Sequence, residues 1–289
     1  MTRSVCIFAR DEERKIHYAI GALEAAGLGA DDSVHILVNG CEDDTALVAR
    51  AVAAADSRIS VHELPVGDKA NAWNEYIHRI ADLNNETHVF LDGDVTPSID
   101  AVNALEQALF QSPESYALPA TGRSRRQWAR MLLSNHYLSG NLYALSASAL
   151  SAFRNRKIRL PFGAKGEDGL ISYILLTDLK GGDDDSFTNR IAIAERATFE
   201  FESLKPHSED AQIFLRRLAR YSERYFQKQL LYKRLKAEGI SAMPESVYEI
   251  YTPTAFASLC PRLDPVNFLI DLATLRRLRK LAGSASLGG

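Results

Sequence analysis

Asp92 and Asp94 stand one glycine apart at the end of an apolar run, in the stretch VFLDGDV at residues 89–95. Two carboxylates this close repel each other, and each gains from a cation. Hard divalent ions such as Mg2+ or Mn2+ take oxygen ligands, and a site with one or two protein carboxylates leaves coordination positions for substrate phosphates. Gly93 keeps the turn open to a bulky ligand. A plainer account of the same residues is an Asp-Gly turn whose second aspartate caps a helix, because TPSIDA follows. A second acidic pair, Glu167 and Asp168, lies in LPFGAKGEDGLISYILL. Gly163, Gly166 and Gly169 make a flexible approach to it, and the pair opens an apolar helix, whose dipole stabilises acids at its N-terminus. Upstream, SGNLYALSASAL places small residues as if the backbone must pass close to a ligand.

The elements that would position these acids follow a simple alternation. SVCIFA reads as a strand, RDEER as a turn, and IHYAIGALEAAGLGA as a helix ended by glycine. SVHILV is a second strand, NGCEDD its turn and TALVARAVAAA a second helix. RISVHELP is a third strand, and DKANAWNEYIHRIADL a third helix with Ala70, Trp73, Ile77 and Ile80 on one face. THVFL is the fourth strand. Strands alternating with helices of this length imply βαβ units and a parallel sheet, with ligands beyond the carboxyl ends of the strands. The turns RDEE, NGCEDD and DGD would then share one rim. That location favours the cation account of DGD over the cap.

A chain of 289 residues suits one large or two modest domains, and 46% hydrophobic with 25% charged residues is the composition of a globular protein with a real core. No apolar run reaches the length of a bilayer crossing, and the opening MTRSVCIFARDEER is too short in apolar residues for a signal peptide. The expected location is the cytoplasm. Cys6, Cys41 and Cys260 show no CxxC spacing, which argues against a disulfide framework or structural zinc. The net charge of -3 conceals an asymmetry. From residue 211 onward there are 13 Lys and Arg against 6 Asp and Glu, while the first 210 residues carry 21 basic against 31 acidic. The basic tail either meets an anion, such as a membrane surface or a phosphate, or is a solvated helical face. Within it, QIFLRRLARYSERYFQKQLLYKRLKAEGI reads as a long helix with apolar and basic faces. FLIDLATLRRLRKLAG sets Phe268, Leu269, Leu272 and Leu275 near one face, with Arg276, Arg277, Arg279 and Lys280 behind. Such a helix lies in an anionic membrane surface, or else packs on the domain or a partner subunit. GGDDDS at residues 181–186 reads as an exposed turn.

The pieces VCIFARDEERKI, ILVNGCEDDT, GDKANAWN, FLDGDV, GNLYALS and GEDGLIS, in this order and spacing, resemble the family 2 glycosyltransferases of the GT-A fold over roughly residues 3 to 175. The resemblance implies an α/β chain: a Rossmann-like, mostly parallel sheet flanked by helices. The nucleotide-sugar half would span about residues 1–97, the acceptor half about 98–210, and a basic helical C-terminal extension 211–289. It implies a metal site at Asp92 and Asp94 for Mn2+ or Mg2+ against the donor's diphosphate. It implies nucleotide-sugar contacts from Ala9, Arg10, Glu12, Asn39, Lys69, Asp92 and Gly93. On the acceptor side it implies Gly140, Asn141 and Glu167, with Asp168 as the catalytic base. His207, in LKPHSED, is a further metal ligand or a structural histidine. Lys69 meets a phosphate or is solvated, and Arg123, Arg125 and Arg126 of GRSRRQW hold an anionic acceptor or are solvated.

Two departures shape the expectation. Val38 and Asn39 stand where many family members carry an acidic pair that reads uracil; asparagine still offers a donor and an acceptor. Arg217 and Tyr221 of RRLARY stand where polymerising members have Gln and Trp of Gln-x-x-Arg-Trp, which with the lack of membrane spans points to transfer of a single sugar. The implied reaction is metal-dependent, inverting transfer from a nucleotide sugar, UDP foremost, to a hydroxyl acceptor in envelope saccharide or glycolipid synthesis. Nothing implies a nucleic-acid partner. A nucleotidyltransferase is the nearest rival, but FARDEERK lacks the glycine-rich loop such an enzyme needs after its first strand. A catalytically silent sugar-nucleotide-binding scaffold is the rival from another class, and Asp92, Asp94 and Asp168 argue against it.

Overall fold

The computed structural model describes residues 2–112, 117–119, 121–122, 136–188, 190–201 and 208–285. The first half alternates as β1 (Arg3–Ala9), α1 (Ile16–Gly21), β2 (Ser33–Asn39), α2 (Thr45–Ala53), β3 (Ile59–Leu64), α3 (Lys69–Glu75) and β4 (Thr87–Asp92). Next come β5 (Val95–Pro97), α4 (Ala101–Gln111), β6 (Ala117–Pro119), β7 (Thr121–Gly122), β8 (Leu142–Ser146), α5 (Ala147–Asn155), α6 (Glu167–Leu176) and β9 (Thr198–Phe201). Three helices close the chain: α7 (Ser208–Glu238), α8 (Pro253–Ala257) and α9 (Pro265–Ala285).

The main sheet runs β3-β2-β1-β4-β8-β6, and a small sheet runs β5-β9-β7. β1 pairs in parallel with β2 and β4, and β2 with β3, while β8 returns antiparallel against β4 and β6. The register sets Phe8 opposite Asp92, so the turns after β1 and β4 leave the sheet together. Every residue of β1 is buried, which is why SVCIFA is apolar without alternation: helices cover both faces of this strand.

The period of two along the strands sorts the core into two layers. Cys6, Phe8, Leu37, Phe90 and Tyr143 face one layer, with Trp73 and Tyr76 beneath the site. Phe226 and Leu235 of α7 and Leu275 and Leu278 of α9 belong to that same layer. Val5, Ile7, Ala9, Ile36, Val38, Val89 and Leu91 face the other, against Ile16, Leu105 and Phe199. Trp73 donates from Nε1 to the Tyr143 hydroxyl at 3.0 Å, so the largest buried ring is satisfied as well as packed.

Three elements differ from the sequence expectation in detail. α1 stops at Gly21, and the chain continues in turns to Gly27, whose φ of +107° suits glycine. α3 is followed by a π-helical turn, Tyr76–Ile80; Ala70, Trp73 and Ile77 are buried as expected and Ile80 partly so. On α9 the expected apolar face divides. Leu275 and Leu278 are buried, whereas Leu269 is 69% exposed. The division follows from Asp271, fully buried between α7 and the residues ahead of α9, where it accepts from Ser222 Oγ at 2.6 Å and Arg262 Nη2 at 2.6 Å. Among the described residues, no helix is long and apolar enough to cross a membrane.

Candidate active site

The turns after β1, β2 and β4 meet on one rim. Gly93 N donates to Phe8 O at 2.8 Å, Asp11 N to Cys41 Sγ at 3.3 Å, and Glu42 N to Asp11 Oδ1 at 2.8 Å. Asp92 is the last residue of β4, and β5 begins at Val95. Helix α4 begins only after Asp100, so Asp94 caps no helix. Gly93 is buried, and a Cβ there would lie 3.2 Å from the Ala9 Cα. The close approach of β1 favours glycine here.

Four carboxylates gather at this rim: Glu12, Asp92, Asp94 and Glu167. Burial, then Asp94, push the Glu12 carboxyl up to about 8, with Asp92 and Asp43 adding to the effect and Lys15 opposing it. Burial also pushes Asp92 up to about 7; Lys69 opposes this, and Asp94 and Glu167 reinforce it. Lys69 is the cation among them. Its Nζ lies 2.5 Å from Asp92 Oδ1 and 2.8 Å from Glu167 Oε1, and donates to Gly140 O at 3.1 Å. All three ammonium donors are therefore engaged. Its Nζ also stands 5.4 Å from the centroid of the Phe8 ring. Burial alone would lower the lysine's proton affinity, but Asp92 and Glu167 raise it well above the usual range. Burial would likewise raise Glu167, and Lys69 outweighs it, holding this carboxyl below the ordinary value. Lys69 ties the end of β4 to the start of α6.

One ammonium does not neutralise this group. Two carboxyls displaced toward neutrality beside a third are the chemistry that a divalent cation relieves, so the residues fit the expected ion. Asp94 is partly exposed on the rim. Among the described residues, one trio of ligand-type side chains brings its atoms within 4.8 Å of one another, namely Asp11, Cys41 and Asp43, on the neighbouring turns. His207, Arg123, Arg125 and Arg126 lie outside the described residues.

Beside the rim, Glu167 and Asp168 open α6, preceded by Gly166 at φ +80°. The approach is pinned rather than flexible. Asp68, which caps α3 by accepting from Asn71 N at 2.9 Å, also accepts from Gly163 N. Gln227 of α7 accepts from Lys165 N at 2.7 Å and donates to Gly163 O at 3.1 Å. Gly166 is required because Arg224 passes directly over its Cα. Gly140 is required because a Cβ there would meet the Asp168 carboxyl at 3.2 Å. Asp168 Oδ1 is held by Arg224 Nη2 at 3.0 Å. Arg224, Gln227 and Asp68 escape sequence reasoning, since their partners lie 56, 64 and 95 residues away. Arg217 and Tyr221, singled out from the spacing, sit earlier on α7, with Tyr221 42% exposed.

The remaining expected contacts are mixed in placement. Arg10 reaches across the rim and donates from Nη1 to Gly67 O at 2.7 Å. Ala9 packs beneath Gly93. Asn39 is buried, and its Oδ1 accepts from Asp68 N at 3.0 Å, so that oxygen is engaged by the protein. Asn141 carries Asp92 through its backbone, its carbonyl accepting from Asp92 N at 3.1 Å.

No protein-family model and no curated protein matches the sequence. Solved structures do. One is mannosyltransferase PcManGT from Pyrobaculum calidifontis in complex with GDP-Man and Mn2+, with a TM-score of 0.58 at 15% identity, over 99% of this chain and 79% of that one. Another is S. aureus TarS 1-349 in complex with UDP-GlcNAc, with a TM-score of 0.51 at 12% identity, over 100% of this chain and 92% of that one. A third is glucosyl-3-phosphoglycerate synthase from Mycobacterium tuberculosis with Mn2+, UDP and glucosyl-3-phosphoglycerate, with a TM-score of 0.50 at 21% identity, over 77% of this chain and 79% of that one. The likeness shows the fold: a mostly parallel sheet, flanking helices and a helical C-terminal region in the GT-A arrangement.

Proposed function

We propose that this chain is a family 2 glycosyltransferase that moves one sugar from a nucleotide-sugar donor to a hydroxyl acceptor with inversion at the anomeric carbon. The observation that carries the reading is the position of Lys69, which bonds at once to Asp92, Glu167 and Gly140. It brings the aspartate pair at the end of β4 next to the acidic pair that opens α6. Asp94, with Asp92 and Glu12 nearby, would hold Mn2+ or Mg2+. An ion bound there supplies Lewis-acid charge to a departing diphosphate.

The chain's own residues supply the rest. Inversion is a single in-line displacement: the acceptor oxygen bonds to the anomeric carbon as the bond to the diphosphate oxygen breaks. It needs one base on the acceptor side, and Asp168 takes the proton. Arg224 and Gly140 position its carboxylate, while Glu167 is bound to Lys69, the cation it shares with Asp92. A UDP-sugar is the first donor to test, and the similar structures carry both GDP-Man and UDP-GlcNAc, so a panel must span both bases. An envelope saccharide or glycolipid acceptor in the cytoplasm rests on fold analogy.

Calorimetry with a panel of nucleotide sugars, with and without Mn2+, tests the reading. Metal-linked donor binding is expected. Binding that ignores the metal would favour a silent scaffold, and pyrophosphate release from a nucleoside triphosphate would favour a nucleotidyltransferase. A peripheral membrane location is a second part of the reading, favoured by the exposure of Leu263, Val266 and Leu269 at 92%, 63% and 69% close to the basic residues of α9. Val266→Asp with Leu269→Asp should reduce sedimentation with anionic liposomes; unchanged sedimentation removes that part alone.

A further inference from the structure

Arg224, Lys228, Tyr232 and Lys236 recur every fourth residue on α7 and so share one face. From first to last they cover about 18 Å, at about 1.5 Å per residue. Beside this face lies a groove of about 790 Å³, lined by Lys228, Tyr232, Lys233 and Lys236, with Tyr225 and Asp183. It is a shallow, open groove, lined almost wholly by α7 itself. The head of the stripe touches the candidate base, since Arg224 Nη2 lies 3.0 Å from Asp168 Oδ1. Tyr232, which lines the groove, reaches back to the residue next to Asp168. Gly169, next to Asp168, has no side chain, and a Cβ on it would face Arg224 Nη2 at 3.1 Å and Tyr232 Oη at 3.5 Å.

The groove has a fixed floor and excess positive charge. Tyr232 stacks on Tyr173 of α6, with centroids 4.9 Å apart and planes 18° apart. Lys228 Nζ stands 5.4 Å from the Tyr232 ring centroid. Burial, then Arg224, lower the proton affinity of Lys228; Asp184 opposes this and Lys236 adds to it. The acids facing the groove are at its far end, where Asp183 lines it and Asp184 pairs with Lys236 at 2.7 Å. A neutral glycan would be served by the aromatic floor alone. Lysines repeated along the path answer to repeated negative charges.

We propose that this face of α7 is the acceptor groove, and that it takes an elongated saccharide chain bearing repeated phosphate or carboxylate groups, its end hydroxyl delivered past Gly169 to Asp168. The assignment of the groove to an acceptor rests on the glycosyl-transfer reading, but binding in it needs neither donor nor metal. The test is therefore binding alone, on the full chain, with a labelled sulfated dextran oligomer and a neutral dextran of equal length. The sulfated chain should bind and the neutral one should not. Lys228→Gln combined with Lys236→Gln should weaken binding about tenfold, equivalent to about 1.4 kcal/mol. Arg156→Gln combined with Lys157→Gln, on a separate basic recess beside Leu179 and Ile240, should leave it unchanged. Tripolyphosphate and oligogalacturonate as competitors separate phosphate from carboxylate recognition. Equal binding of both dextrans, equal losses in the two double variants, or competition by neither anion overturns the proposal. None of these results bears on metal-linked donor binding, so the two readings fail separately.

Discussion

Replacing Lys69 with methionine keeps much of the stem over Phe8 and removes the charge between Asp92 and Glu167. Breaking a buried pair costs about 3–5 kcal/mol because the partner is left uncompensated. Here the lysine and Asp92 side chains are 26% and 24% exposed, and Glu167 11%, so solvent screens part of the loss. About 2 kcal/mol is the expected destabilisation near pH 8. The pH dependence has a definite sign. In the parent, Lys69 holds the Glu167 carboxyl below its ordinary value, and this stability is present above the unfolded value and lost as pH falls through the folded one. In Lys69→Met, Glu167 and Asp92 both rise, Asp92 from a value already near 7. Their penalty is full at high pH and disappears as they take up protons. The gap between the two proteins should therefore be widest near pH 8 and shrink toward about pH 5. Urea unfolding at both pH values reads it directly. With a slope of about 3 kcal/mol per molar, the midpoint shift near pH 8 is about 0.7 M. Millimolar Mn2+ should narrow the same gap. Equal midpoints near pH 8, or a gap that does not close on acidification, would refute this account of Lys69.

The remaining expectations concern the chemistry and the histidines. Asp168→Asn keeps the size of the side chain but cannot take a proton, so turnover should fall about 10²–10⁴-fold with donor binding intact; near-normal turnover, or a product retaining the donor's anomeric configuration, contradicts the assigned base. Asp94→Ala should abolish the metal-linked part of donor binding, and EDTA should do the same to the parent; full activity in EDTA ends the metal claim. Burial lowers His35 to about 4, with His62 contributing, and burial lowers His88 to about 4 against a weaker backbone interaction with Asn85. Their imidazole proton resonances should titrate near that pH, and titration near 6.5 would contradict the packing. These two rings prefer the neutral form when folded, so the stability they give is lost as pH falls from about 6.5 toward 4, opposite in sign to Asp92.

What could be read from the sequence was whatever a residue does within its own element. β1 and β4 are legible because strands buried on both faces leave unbroken apolar runs, and the rim follows from strands alternating with helices. The placement of Asp92 at the end of β4 and of Asp168 at the start of α6 is legible because flanking glycines and apolar segments mark the ends of elements. The role of Lys69 was not, since it depends on Gly140 and Glu167 arriving beside α3 from distant segments. Arg224 was hidden in a helix rich in arginine, where spacing drew attention to Arg217 and Tyr221, seven and three residues upstream. Gly93 and Gly166 also make room for Ala9 and Arg224, which only tertiary packing reveals. On α9, periodicity marks apolar positions but cannot say that Leu275 is covered and Leu269 is not.

Helix α7 is a single rod of 31 residues that carries Arg224 and Gln227 near the base and Lys236 near its end. A rod of this kind separates two kinds of change. On the proposed reading, residues every fourth position beyond Arg224 can be exchanged to suit a different acceptor, while the rim proposed to hold the nucleotide is built from other segments and keeps its geometry. New acceptor preferences could then arise by substitutions along one helical edge, without any redesign of the chemistry at Asp168.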